Sequence, residues 1–270
     1  MPNKIIYYYQ TFCGLQNLLN NKNPTTHIHL SSIHFGLDLK NNPYIHLNND
    51  DPYSEKFDKV WEELLKAKIQ GIQIILMLGG AGGAYDYLFS NFNIYYAKVN
   101  YLLKCKKDII SGIDLDIEET CSLEDVKKLI NQLDFDFGPN FTISMAPIQN
   151  SLQYDSPGMG GFIYKDLFKS KEGTRINYFN VQFYMDYSFS AFEQIIKNGY
   201  PEYMIVMGME SSDDLNNNLD QIKLISQKYK NFGGAFLWEY YNAPPNGSED
   251  QSEWSRLIDK KLYNLRCIIL

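Results

Sequence analysis

Three acidic residues at alternate positions stand out as groups that could do chemistry. The segment Ser111-Gly-Ile-Asp-Leu-Asp-Ile-Glu118 sets Asp114, Asp116 and Glu118 two residues apart, with Ile113, Leu115 and Ile117 between them. In an extended chain alternate side chains share a face at intervals of about 6.6 Å, so carboxylates line one face and aliphatic groups the other. Aspartate is disfavoured in strands, and like charges this close repel one another. Stability therefore does not explain the row. The repulsion keeps a proton on one member at neutral pH, which is what a general acid needs. A solvated edge strand would tolerate the same pattern, but the aliphatic opposite face argues for burial. Metal ligation is a further use, which Asp186 and Glu210 could complete with oxygen ligands from later segments. His27 and His29 form an HxH pair, yet all four histidines (His27, His29, His34, His46) fall in the first fifth of the chain. Later segments offer no partner for them, so they read as ordinary strand residues.

A row of this kind needs a scaffold to aim it. Runs rich in Val, Ile, Phe and Tyr recur eight times: from Ile5, His27, Gly71, Ile109, Phe141, Tyr178, Tyr203 and Gly233. Helical spacing lies between several of them. Phe57, Val60, Trp61, Leu64 and Leu65 follow Ser54; Ser122 and Asp125 form a capping box ahead of Val126, Leu129, Ile130 and Leu133. Leu215, Leu219, Ile222 and Ile225 mark another helix, and Trp254, Leu257, Ile258 and Leu262 the last. Strands alternating with helices imply a parallel sheet. Eight of them without a linker, in 270 residues, predict a single (β/α)8 barrel domain spanning 1–270. A doubly wound sheet is the alternative. In a barrel, function sits at the C-terminal ends of the strands.

Composition narrows the partners. The chain is 44% hydrophobic and 21% charged, which excludes wholesale disorder. With 25 basic against 32 acidic residues the net charge is −7, which argues against a nucleic-acid partner. No run of about 18 apolar residues suggests a transmembrane helix. Cys13, Cys105, Cys121 and Cys267 contain no CxxC pair, so neither a disulfide framework nor a zinc site is expected. Gly79-Gly-Ala-Gly-Gly83 lacks a following GK[ST] and reads as a tight turn, not a phosphate loop. The expectation is a monomer without metal or cofactor. Aromatic residues make up 15%, including 21 Tyr and 16 Phe. Tyrosine suits sugar rings, but only placed aromatics count as evidence.

SGIDLDIEE resembles the DGxDxDxE signature of the family 18 glycoside hydrolases, the chitinase-like barrels, with Ser111 in place of the leading Asp. VQFYMD resembles the sixth-strand segment of the hevamine-like single-domain branch, TISMAPI the fifth-strand Met-Ala-Pro segment, and GGAFLWEYYN the eighth strand. LGGAGGAY is similar to the glycine-rich end of the third strand, so the likeness covers nearly the whole chain. It implies retaining hydrolysis of β-1,4-linked N-acetylglucosamine polymers, chitin or its oligosaccharides, assisted by the substrate's own acetamido group. Glu118 would be the general acid, Asp116 and Asp114 the supporting carboxylates, and Tyr184 the hydroxyl that aligns the acetamido oxygen. Trp238 would floor the sugar site; Gln182, Tyr8, Met145, Gly80 and Asp186 are the remaining candidate substrate contacts. An endo-β-N-acetylglucosaminidase acting on N-glycans shares this chemistry, and a non-catalytic sugar-binding protein shares the fold.

Some positions depart from the family pattern. Met77 replaces a serine that would reach the innermost carboxylate, so Asp114 is expected to lack a donor; Tyr8, with Tyr7 and Tyr9 competing, is the tyrosine that would support it. Met185 stands where a polar residue is usual. The connection Ser211-Ser-Asp-Asp214 is too short for the additional α+β domain of some relatives, which implies an open, endo-acting cleft. MPNKIIYYYQTF reads as a strand, not as a secretion signal, so a cytoplasmic location is the expectation. Cys267-Ile-Ile-Leu270 fits a prenylation pattern that would add membrane association, or else an apolar tail.

Overall fold

The computed structural model describes residues 3–20, 23–184 and 186–263; Met185 and the Cys267 motif lie outside them. Among the described residues nine strands form: β1 (Lys4–Tyr9), β2 (His27–Leu37), β3 (Pro43–Leu47), β4 (Gln73–Gly79), β5 (Ile110–Asp116), β6 (Thr142–Met145), β7 (Tyr178–Gln182), β8 (Ile205–Glu210) and β9 (Gly234–Trp238). Eight run parallel in the order β1, β2, β4, β5, β6, β7, β8, β9, and β9 pairs back onto β1. That closure makes a (β/α)8 barrel and excludes the doubly wound sheet. β3 pairs antiparallel with the far half of β2 and lies outside the ring. Sequence reading misses it because a five-residue run opening on proline carries the signature of an edge, not of a barrel strand.

The helices follow the apolar stripes. Ser122 caps the helix Leu123–Phe137, its Oγ accepting from the Asp125 amide at 3.0 Å, and Val126, Leu129, Ile130 and Leu133 are buried against the sheet. Asp58–Ile69 buries Val60, Trp61 and Leu64, while Leu65 is left exposed. Each aliphatic side chain removed from water in this way stabilises the fold by about 1.5–3 kcal/mol. After β8 only residues 211–214 precede the next helix, Leu215–Lys228, whose first amides are capped by Asp214. No further domain fits in that turn.

Strand alternation divides the buried side chains into two populations. Leu76, Leu78, Ile113, Leu115, Ile143, Met145, Phe179, Val181 and Leu237 belong to the large layer between sheet and helices. Ile6, Tyr8, Met77, Tyr178, Val206 and Phe236 form a small cluster inside the barrel. Gly208 makes room for one of them: a Cβ there would lie 1.9 Å from the Phe236 ring.

Candidate active site

Register decides which groups meet inside the barrel. Asp114 sits between Met77 of β4 and Ser144 of β6, one residue out of phase with the outward Ile113 and Leu115. It is fully buried. Its Oδ1 accepts from Ser144 Oγ at 2.6 Å and from Asn180 Nδ2 at 3.2 Å, and its Oδ2 from the Tyr8 hydroxyl at 2.7 Å. His29 Nδ1 lies 3.3 Å from the same Oδ2, at ion-pair distance but off the hydrogen-bond direction. Burial pushes the Asp114 carboxyl upward, but His29, Ser144 and Tyr8 outweigh it and hold the group below the usual range. The expected shortage of donors caused by Met77 is thus corrected, because neighbouring strands supply them. Tyr7 and Tyr9 point elsewhere: their hydroxyls meet Gln251 and Ser255, and Gly14.

Two residues nearer the mouth the environment reverses. Asp116 is buried, and among the described residues the only side-chain donor to its carboxylate is Gln182 Nε2, 3.3 Å from Oδ1, which also donates to the Ala146 carbonyl at 3.0 Å. Burial first, then the charges of Glu118, Asp114 and Glu119, push Asp116 well above the ordinary range for an aspartate. Gly80 lets the chain turn closely beside it. Its φ is +78°, its amide donates to the Asp116 carbonyl at 2.9 Å, and a Cβ there would come within 3.5 Å of Asp116 Oδ2.

Glu118 lies just past the end of β5, half-buried. Burial raises its proton affinity, and the charge of Glu119 raises it further. Glu119 itself accepts from the Tyr85 amide at 3.2 Å, which ties it to the loop after β4. Tyr184, half-buried beyond β7, packs on the inner cluster with its ring 6.3 Å from Phe236. Burial and then the fields of Asp116, Glu210, Glu118 and Asp213 keep its phenol protonated. Trp238 closes the same side, its ring 5.5 Å from that of Tyr8.

Of the residues singled out by sequence, the structure thus gathers Asp114, Asp116, Glu118, Tyr184, Trp238, Gln182, Tyr8 and Gly80 at the C-terminal end of the barrel. Two do not fit. Met145 is fully buried in the outer layer with Leu115 and Phe179, because inward Ser144 forces its neighbour outward; it is not a substrate contact. Asp186 is exposed just beyond the strand. Ser111, the departure at the start of the signature, takes a hydrogen bond from Lys68 away from the carboxylates. Sequence reasoning missed Ser144, Asn180 and above all His29. Their signal was alternation: Ser144 lies two residues before Ala146, whose carbonyl holds Gln182, and Asn180 two before Gln182. Among the described residues no three His, Cys, Asp or Glu side chains are grouped as a metal site requires.

Comparison with known proteins agrees with this geometry. No family model matches the chain. A curated chitinase of Rhizopus oligosporus is 24% identical over 223 residues, which is 73% of this chain but 39% of that protein, so the chain spans well under half of that relative's length. A fungal endo-β-N-acetylglucosaminidase of glycosyl hydrolase family 18 superposes with a TM-score of 0.87 at 26% identity, covering 97% of this chain and 99% of that one. An Aspergillus fumigatus chitinase gives 0.84 at 27% identity, covering 96% and 99%. Fold and site define a (β/α)8 barrel with a carboxylate ladder at its mouth. In fold and sequence the chain is similar to members of glycoside hydrolase family 18.

Proposed function

We propose that this protein hydrolyses β-1,4-linked N-acetylglucosamine chains, chitin or chito-oligosaccharides, with retention and without an enzyme nucleophile. One observation carries the reading: a half-buried glutamate with raised proton affinity stands at the barrel mouth above a buried aspartate pair, flanked by a phenol and an indole. Glu118 enters the reaction protonated and gives its proton to the bridging oxygen as the bond from that oxygen to the anomeric carbon breaks. The substrate's acetamido oxygen forms the new bond to that carbon, leaving a positive oxazolinium ring. Asp116 accepts the acetamido N–H, and the negative charge it shares with Asp114 stabilises the ring. Tyr184 donates to the acetamido oxygen and aligns it for attack. Trp238 supplies the apolar floor. Water then opens the ring and Glu118, now a carboxylate, takes the proton from it. The four-residue turn after β8 leaves the cleft open, which suits cutting within a chain.

Glu118→Gln is the test. Turnover of a chito-oligosaccharide should fall by at least about 10³-fold while the variant still binds the oligomer. Near-wild-type turnover overturns the assignment, and a wild type that binds without cleaving makes the protein a lectin-like member of its family. The likeness to a fungal endo-β-N-acetylglucosaminidase supports a second substrate, the chitobiose core of N-glycans. Comparing chitin oligomers with a high-mannose glycoprotein under identical conditions separates the two.

A further inference from the structure

Beside the apolar cluster inside the barrel lies a set of buried polar groups that the mechanism above does not use. His29 is completely buried on β2, its ring 4.8 Å from that of Tyr8. Nε2 lies 3.2 Å from the Tyr178 hydroxyl of β7, and Nδ1 lies 3.3 Å from Asp114 Oδ2 of β5. Tyr178 in turn lies beside Ser144, which donates to the other oxygen of Asp114. Four strands thereby close a ring of polar contacts around one carboxylate. A nitrogen lone pair facing a carboxylate would be repelled, so Nδ1 carries a hydrogen, and the Tyr178 hydroxyl completes the other side of the imidazole.

Beside Asp114 on β4 stands Met77, which has no hydrogen to give. We infer that His29 is a positioning residue for the carboxylate ladder, supplying across the barrel the support that β4 withholds and so fixing Asp114 as the ionised member of its pair with Asp116. Resting on the hydrolase reading, the inference deepens it: His29 never touches substrate but sets which carboxyl holds the proton during turnover. The titratable groups facing His29 are few. They are Tyr8 of β1, Asp114 of β5, Tyr178 of β7 and His27 on its own strand. Burial, then the charges of His29, Lys4 and Lys68, pushes His27 well below its ordinary range. Lys4, brought down to about 8 by burial, lies 4.7 Å over the Tyr178 ring. Of these groups Tyr8 also reaches Asp114, donating to the same Oδ2 at 2.7 Å.

Four proteins decide it: His29→Leu, His29→Gln, Met77→Ser, and His29→Leu combined with Met77→Ser. Loss of the contact raises the proton affinity of Asp114, so the acid limb of kcat/KM against pH should move upward. In His29→Leu the expected shift is about one pH unit, with about tenfold lower kcat/KM at the acid end and little change in KM. His29→Gln keeps an N–H and should recover most of the loss. Adding Met77→Ser to His29→Leu places a hydroxyl beside Asp114 and should restore the limb, with Met77→Ser alone as reference. A folded His29→Leu protein whose acid limb is unmoved overturns the inference. If the wild type shows no turnover, the hydrolase reading fails by itself. The inference is then decided by ¹³C-carboxylate NMR, in which Asp114 must titrate at higher pH in His29→Leu than in wild type, or if that variant does not fold, in His29→Met, which also lacks a donor.

Discussion

Asp114 and Asp116 are two residues apart on one strand and both buried, yet the barrel treats them oppositely. Around Asp114, β1, β2, β6 and β7 converge with a phenol, an imidazole, a hydroxyl and an amide, and together these overcome the penalty of burial. Around Asp116 the neighbours are mainly other acids, with one amide donor, and burial and repulsion add. Desolvation alone would have raised both. The difference teaches that a strand supplies carboxylates in equivalent positions, and neighbouring strands then decide their charge.

Truncating the lower carboxylate breaks the comparison most severely. Asp114→Ala leaves buried donors from four strands unpaired and should cost about 3–5 kcal/mol of stability at neutral pH, read by urea denaturation. An unchanged midpoint would mean that these donors find other partners. Asp116→Asn should do the reverse for stability while impairing function. Its raised carboxyl contributes stability below the unfolded value near 3.9, and that contribution is lost as pH rises toward the folded value. Removing the charge should therefore raise the melting temperature above neutral pH, by about 2–4 °C for each kcal/mol relieved, while turnover falls on the order of 10²-fold. Asp114 has the opposite sign: its lowered value contributes stability above the usual carboxylate range that is lost as pH falls through the folded value. The smallest effect concerns Glu119. Its charge helps to keep the proton on Glu118, so Glu119→Gln should move the alkaline limb of kcat to lower pH by less than about one unit, visible in a rate profile from pH 5 to 9.

Much of this was legible in the sequence because it depends on local repetition. Eight apolar runs interleaved with helical stripes became eight barrel strands, and the capping box at Ser122 became the start of a helix. The ladder itself is pure alternation. Failures arose where one residue's phase decides the outcome. Met145 was read with its segment as a site residue, whereas its neighbour Ser144 takes the inward place. The expected weakness at Met77 came from inspecting one strand at a time, and His29 was set aside as an ordinary strand residue because no later histidine could complete a metal site with it.

What the sequence determined by itself was the period of its strands and helices and the presence of three acids on one strand face, since both follow from backbone geometry within a single segment. What only the tertiary structure decided was the barrel's closure, the identity of Tyr8 among three adjacent tyrosines, and the placing of His29 against Asp114. Those depend on registers between segments far apart in the chain, and a carboxylate's charge follows from whichever dipoles those registers bring within about 3 Å of it.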